Sequence, residues 1–335
     1  MPDTIDRREL LGLGAIAAGA AVAVPAALPA QAGASSLAGK SVLITGCSSG
    51  FGRLTAMECA RRGAKVFATM RNLKGGSRPE AKELSDWAAT EKLRDFAILE
   101  LDVTSDAQVV AAIAAAEAKA GGRLDAVVNN AGIGLGGPVE LADIEAMQSI
   151  LNTNLLGYLR VARAALPAMR KAKQGLVVCV SSQLGRITVP NLGIYGSTKF
   201  AVEGMFETMA YELAPFGVEI AIVQPGGFPT NIWKSGAKNS QAMLERQAAA
   251  TRTAYDPLVN SALAMGERGG GTTDPNDVAR AIADLVGMAP GSRPLRRPVH
   301  PNTRATDAVN AACAQVQAAV LGTGPYADWH RAVTS

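Results

Sequence analysis

"SVLITGCSSGFG", residues 41–52, decides how this chain folds. An apolar run, Ser41–Thr45, passes directly into a turn containing Gly46, Gly50 and Gly52, and a helical stretch follows from Leu54 to Arg62. Glycines between a strand and a helix permit a tight turn and let the backbone approach a pyrophosphate resting on the helix N-terminus. The spacing is G-x-x-x-G-x-G rather than G-x-G-x-x-G. Alone it describes an ordinary tight turn equally well, so the reading depends on what surrounds it.

The surroundings alternate. Short apolar or β-branched runs recur at Lys65–Thr69, Phe96–Leu101, Ala126–Asn129, Leu176–Val180 and Glu219–Val223. Alanine-rich helical stretches lie between them, including Ala107–Ala120, Ile144–Arg170 and Phe200–Ala214. Strands alternating with helices imply βαβ units, and nearly continuous apolar strands imply burial on both faces. The expected fold class is therefore α/β, a Rossmann-type doubly wound parallel sheet. One domain is read over residues 38–300, with a C-terminal extension at 301–335 and no internal repeat. "GERGGGTTDP" (266–275) is the one flexible interruption.

Composition narrows the class. The 335 residues are 48% hydrophobic, so a sizeable core is available. The net charge is +4 without a basic block and aromatics are 4%, which argues against a nucleic-acid partner. Cys47, Cys59, Cys179 and Cys313 are widely spaced, and His300 and His330 are the only histidines. No C-x-x-C pair exists, so no metal site is expected and the cysteines read as buried thiols.

The N-terminus reads differently. Arg7 and Arg8 precede a segment without charge from Leu10 to Gly39, and Ala30-Gln31-Ala32 has the small-x-small form of a cleavage site. This looks like a twin-arginine export signal, although Asp6 and Leu10 depart from its usual pattern. The alternatives are an uncleaved membrane anchor and an inert leader, with Pro25 and Pro29 weakening the anchor. Residues 1–35 are excluded from the fold as export signal or disordered leader. The expected location is periplasmic or otherwise exported, with transient membrane contact on the way.

"YGSTK", Tyr195 to Lys199, opens a helix, and residues four apart share a helix face. A free phenol, with a pKa of about 10, is a poor base at neutral pH. A cation beside it favours phenolate, so Tyr195 can exchange a proton with an alcohol or carbonyl oxygen. Thirteen residues upstream, Ser182 ends "LVVCVSS" at a strand's C-terminal edge, where open α/β sheets bind ligands. Its hydroxyl can hold the substrate oxygen. Ser181 is the adjacent rival, and the spacing favours Ser182.

Together these residues resemble the short-chain dehydrogenase/reductase family. The resemblance runs through "TGCSSGFG" (45–52), "LDVT" (101–104), "NNAG" (129–132), "NTNLLG" (152–157), "VSS" (180–182), "YGSTK" (195–199) and "PGG" (225–227). It implies Tyr195 as acid/base, Lys199 as its modulator and a ribose contact, Ser182 as substrate-oxygen ligand, and Asn154 as holder of a relay water. It also implies cofactor contacts at Ser48, Ser49, Gly50 and Phe51. Asp102 and Val103 match an adenine site, and Asn129, Asn130, Ala131 and Gly132 a segment beneath the adenosine ribose. Pro225, Gly226 and Thr230 match a nicotinamide loop.

Cofactor choice turns on "FATMRN" (67–72), which carries Arg71 and no acid where a 2′-hydroxyl would be bound. Arg71 suits a 2′-phosphate, so NADP(H) is expected over NAD(H). "FATMRNLK" and "NNAGIGLGGPVEL" look most like the branch containing 17β-hydroxysteroid and retinol dehydrogenases. Leu184, Ile187, Ile194, Phe228 and Trp233, with a substrate lid over about 228–271, suit an apolar alcohol or carbonyl. The tail at 298–320 is read as closing the pocket. The family resemblance also implies a homodimer or homotetramer. The alternatives are a cofactor-binding regulator or scaffold without turnover, and an epimerase or dehydratase on the same fold.

Overall fold

In the computed structural model, residues 35–73 and 78–334 are described. The stretch read as an export address lies outside them. The opening run forms strand β1 (Ser41–Ile44), every residue of which is buried. Helix α1 (Gly50–Arg61) leaves the glycine turn and returns the chain to β2 (Lys65–Met70), parallel to β1. The unit repeats through α2 (Pro79–Thr90), β3 (Phe96–Glu100), α3 (Asp106–Ala120) and β4 (Ala126–Asn129). Local chemistry marks the joins. Ser105 caps α3 by accepting from Gln108 N, and Gly121 ends it in the left-handed conformation at φ +88°.

The second half follows as α4 (Ile144–Leu151), α5 (Gly157–Ala172), β5 (Gly175–Val180), α6 (Gly193–Leu213) and β6 (Val218–Pro225). Then come α7 (Asn231–Glu245), α8 (Ala249–Ala254), α9 (Asp256–Arg268), α10 (Asn276–Gly287), β7 (Arg296–Val299), α11 (Arg304–Leu321) and α12 (Ala327–Thr334). Among the described residues the sheet has seven strands, all parallel, in the order β3-β2-β1-β4-β5-β6-β7. Alternation along each strand divides the core. Val42, Ile44, Val128 and Val178 pack with α1 and α10, while Leu43, Val127, Val177 and Ile222 pack with α3, α5 and α6. This is the doubly wound sheet read from the sequence. Strand order reverses between β1 and β4, and ligand crevices open at the C-terminal ends of strands flanking such a reversal.

"YGSTK" opens a helix as expected, since α6 begins at Gly193 and runs on through the stretch read from Phe200. Other boundaries differ from the sequence reading. The single helix expected over 144–170 contains a π-helical turn, Asn152–Leu156, between α4 and α5. β7, "RRPV", was not foreseen because its residues are only half-buried and two are charged. The expected lid is three helices, α7 to α9. Its far end, Gly269–Gly271, has positive φ at all three glycines. The cysteines are unpaired. Cys47, Cys59 and Cys179 are buried and Cys313 is half-buried.

Candidate active site

A cavity of about 850 Å³ runs along the C-terminal edge of the sheet, between the strand ends and the α7–α9 segment. One end is formed by the glycine turn. Gly46 has φ +74°, and a Cβ there would lie 2.8 Å from the Ala131 Cα. Gly46, Ser48, Ser49, Gly50 and Phe51 line the wall. Ser49 is the N-cap of α1 but makes no side-chain cap bond, and the first turn carries no acid. The first-turn N–H groups at Gly50 and Phe51 therefore lack a side-chain acceptor beside the cavity. That is the electrostatic requirement for holding a pyrophosphate.

Gly52 does not line the cavity. A Cβ there would sit 2.4 Å from both the Gly46 carbonyl oxygen and Asn130 Nδ2, so this glycine lets α1 close onto the turn. Asn130, Ala131 and Gly132 line the wall. Asn130 Nδ2 donates to the Thr45 carbonyl at 2.7 Å, and the Asn130 and Ala131 N–H groups donate to Thr45 Oγ1 at 2.9 and 3.0 Å. Asn129 is set behind them, fully buried, donating to the Tyr158 carbonyl at 3.3 Å. Its expected cofactor contact is therefore corrected to support of the sheet.

Asp102 and Val103 line the wall where the adenine was expected. The Asp102 carboxylate accepts from the Thr104 N–H and hydroxyl at 2.9 and 2.7 Å, which holds the loop in a tight turn. Arg71 is exposed at the end of β2 and also lines the cavity. Arg78, which the sequence reading missed, donates to the Arg71 carbonyl at 2.6 Å and lines the same corner. No local pattern links the two arginines; only the folded chain brings them together.

At the centre, Ser182 lies just past the end of β5 and caps a short 3-10 turn, accepting from the Leu184 N–H at 3.1 Å. Its hydroxyl also reaches the Pro225 carbonyl at 3.4 Å. Ser181 faces Gly185, and its Oγ has no partner among the described residues. The geometry thus favours Ser182 over its neighbour. Lys199 lies one turn beyond Tyr195 on α6, 3% exposed, and donates to the Val180 carbonyl at 2.7 Å. Its Nζ lies 5.2 Å from the Tyr158 ring centre. Burial pulls the Lys199 ammonium down to about 8, against the Cys179 thiol and the Glu203 carboxylate, which raise it. Burial pushes the Tyr195 phenol up, and the Ser182 hydroxyl pulls the other way. The sequence reading had Lys199 depressing Tyr195. In the folded chain desolvation is the larger effect, and the ammonium donates to the backbone rather than to the phenol.

Asn154 sits in the π-helical turn, fully buried and away from the cavity wall. Its Oδ1 accepts from the Ile133 N–H at 2.8 Å, and its Nδ2 donates to the Ile133 carbonyl at 3.0 Å and Thr198 Oγ1 at 3.3 Å. The side chain therefore pins the β4 loop to α6, and π turns of this kind recur at functional sites.

Pro225, Gly226 and Thr230 line the cavity beyond Ser182. Leu184, Ile187, Phe228 and Trp233 line its apolar end as expected. Ile194 does not; it is 1% exposed in a core cluster with Leu141, Ile150 and Met243. The tail at 298–320 is also off the cavity wall. It supports that wall from behind, with His300 edge-on to Phe228 at 5.7 Å, and Phe228 in turn edge-on to Phe51 at 5.5 Å. The α7 helix closes on the β4 loop through Asn239 Nδ2 to the Gly134 carbonyl at 3.1 Å and the Gly136 N–H to Ser240 Oγ at 2.8 Å.

This arrangement matches known proteins. The short chain dehydrogenase family model matches residues 40–241. The chain is 35% identical to retinol dehydrogenase 8 of Bos taurus, over 80% of this chain and 83% of that protein. It is 37% identical to 17-beta-hydroxysteroid dehydrogenase type 1 of Mus musculus, over 63% of this chain and 60% of that protein. Among solved structures, it matches a short-chain dehydrogenase/reductase from Burkholderia phymatum in complex with NAD. That match has a TM-score of 0.67 and 26% identity, covering 84% of this chain and 95% of that one. Sequence, sheet order and site geometry agree, and the chain belongs to the short-chain dehydrogenase family of oxidoreductases.

Proposed function

We propose that the protein interconverts an apolar alcohol and its ketone or aldehyde, using a nicotinamide nucleotide. The observation that carries this reading is the grouping of Ser182, Tyr195 and Lys199 on one cavity whose far end is the uncapped N-terminus of α1. The bound nicotinamide would supply or take up the hydride. The chain's own residues do the rest. Ser182 holds the substrate oxygen. Tyr195, kept protonated by burial, gives its proton to a carbonyl oxygen in reduction and recovers it in oxidation. Lys199 fixes the phenol's surroundings and faces the nucleotide ribose. Leu184, Ile187, Phe228 and Trp233 receive an apolar substrate body.

NADP(H) is the preferred cofactor in this proposal. Arg71, with Arg78 beside it, presents positive charge at the end of β2, and "TMRNL" (69–73) contains no acid. The protein is proposed to self-associate through the outer surface of α4–α6, where Ile144, Leu156 and Phe200 are exposed. Export as a folded, loaded enzyme through a twin-arginine route is also proposed, from Arg7-Arg8 and Ala30-Gln31-Ala32. The deciding experiment follows NADPH and NADH oxidation against panels of retinoids, steroids and small ketones. Nucleotide binding without turnover of any carbonyl would point instead to a non-catalytic scaffold. Cell fractionation tests location, and intact protein confined to the cytoplasm rejects export.

A further inference from the structure

Behind the site lies a buried charged cluster that the proposed reaction does not use. Glu203 is one helical turn beyond Lys199 on α6 and is 1% exposed. Its carboxylate accepts from Arg296 Nε of β7 at 2.9 Å and from Gln224 Nε2 of β6 at 2.9 Å, and it pairs with Arg186 at 3.3 Å. Glu207, one turn further, pairs with the same two arginines and accepts from Tyr211. Two buried carboxylates thus balance two half-buried guanidiniums. A buried ion cluster of this kind is weak evidence for net stability, and removing one member leaves the others uncompensated.

The partners of Glu203 are placed where the site is assembled. Arg186 directly follows the 3-10 turn capped by Ser182. Gln224 directly precedes Pro225, whose carbonyl meets the Ser182 hydroxyl. Gly185, in the same turn, has room for no side chain, since a Cβ would lie 3.0 Å from Glu203 Cγ and 3.1 Å from the Lys199 carbonyl. Gln224 is also paired with Asn310 of α11. Asn310 Nδ2 donates to Gln224 Oε1 at 2.7 Å, and Gln224 Nε2 reaches Asn310 Oδ1 at 3.3 Å. One carboxylate therefore touches the serine turn, the strand leading into the Pro225–Gly226 loop, and the helix bearing Tyr195 and Lys199.

We propose that Glu203 is a positioning residue that clamps these three segments together, and that Asn310 extends the clamp to the C-terminal helix α11. The proposal rests on the functional reading above. It adds that residues 304–321, which do not line the cavity, hold the geometry of proton transfer. The groups facing Glu203 are Arg186, Arg296, Gln224 and, along its own helix, Lys199 and Glu207. Those around the Lys199 ammonium are Tyr158, Tyr195 and Cys179, with Glu203 itself. Glu203 is thus the carboxylate whose charge helps keep that ammonium protonated.

Full-length Glu203→Gln, Glu203→Asp and Asn310→Leu proteins test this. Turnover of all-trans-retinal with NADPH and NADPH affinity by fluorescence are followed from about pH 6 to 10, a range that brackets the lysine titration. For Glu203→Gln, kcat falls roughly tenfold with KM almost unchanged, short of the ~10²–10⁴ lost with a proton-transfer group. Its alkaline limb moves to lower pH, because the ammonium loses a neighbouring negative charge. Glu203→Asp restores the limb. Asn310→Leu lowers kcat about threefold without moving it, a size usual for a group acting through others. Unchanged kcat and limb in Glu203→Gln, or wild-type kcat in Asn310→Leu should Glu203→Gln not fold, overturns the proposal. If the wild type reduces no carbonyl, it is the functional reading that fails. The pH midpoint of NADPH affinity then decides the positioning role by shifting or not shifting in Glu203→Gln.

Discussion

Lys199 Nζ lies 5.6 Å from the centre of the Tyr195 ring and donates its hydrogen bond not to the phenol but to the Val180 carbonyl. The two groups are pushed in opposite directions by the same burial, the ammonium towards neutrality and the phenol towards its protonated form. Separate consequences follow for each residue.

Tyr195→Phe removes only the hydroxyl from a ring on the cavity wall. Turnover is expected to fall by roughly 10²–10⁴, the usual worth of a positioned proton-transfer group. Nucleotide affinity should remain within a fewfold, since the glycine turn and the α1 N-terminus are untouched. Steady-state rates and fluorescence titration of NADPH measure the two effects separately. Wild-type turnover in this variant would remove Tyr195 from the chemistry.

Lys199→Met is expected to stabilise the fold at neutral pH while reducing activity. The folded-state pKa of Lys199, about 8, lies below its ordinary value. The unfolded chain therefore binds the extra proton more tightly between the two values. Below pH 8 the charged, buried form costs stability at a constant level, and that cost is relieved as pH rises towards the unfolded value of about 10.4. The substitution should raise unfolding free energy at pH 7 by roughly 1–3 kcal/mol, with the loss of the Val180 bond counted against it. The gain should shrink towards zero near pH 10. Chemical denaturation at both pH values checks the sign, and a destabilised variant at pH 7 would contradict it.

The glycine turn makes a sharper prediction about packing. Gly52→Ala places a methyl group 2.4 Å from the Gly46 carbonyl oxygen, which is backbone and cannot swing aside. A loss of about 1–3 kcal/mol in stability is expected, as for other overpacked sites. NADPH affinity should fall with it, because α1 must lift from the turn that presents its N–H groups. Thermal denaturation and nucleotide titration test both effects, and a variant equal to wild type in each would exclude this account of Gly52.

What could be read from the sequence follows from how local its causes are. β1, the glycine turn and α1 are neighbours in the chain, so apolar periodicity and glycine placement suffice to find them. Tyr195 and Lys199 share a helix face, so their spacing is informative. The edge strand "RRPV" is not legible in this way, because half-buried residues carry no apolar pattern. Nor are Arg78 beside Arg71, or Asn310 beside Gln224, because those pairs are made by the fold rather than by spacing. Ile194 misled for the opposite reason: an apolar residue beside Tyr195 suits a substrate wall, yet the helix turns it into the core.

Arg71 carries the most exposed prediction. It stands at the end of β2 on the cavity wall, with Arg78 hydrogen-bonded to its carbonyl, so two guanidiniums share the corner where a 2′-phosphate would lie. A charge-assisted hydrogen bond contributes about 1.5–3 kcal/mol, so Arg71→Ala should weaken NADPH binding by roughly 10–100-fold. NADH lacks the phosphate and should lose almost nothing. The informative quantity is the ratio of the two dissociation constants, because any general damage to the site cancels in it. Arg71→Asp should move the ratio further, since a carboxylate repels the phosphate and can accept from a ribose hydroxyl. High salt should weaken NADPH binding to the wild type more than to either variant, as befits an exposed charge pair. Equal losses for both nucleotides in Arg71→Ala would mean that Arg71 supports the loop without reading the phosphate, and Arg78 would become the residue to substitute next.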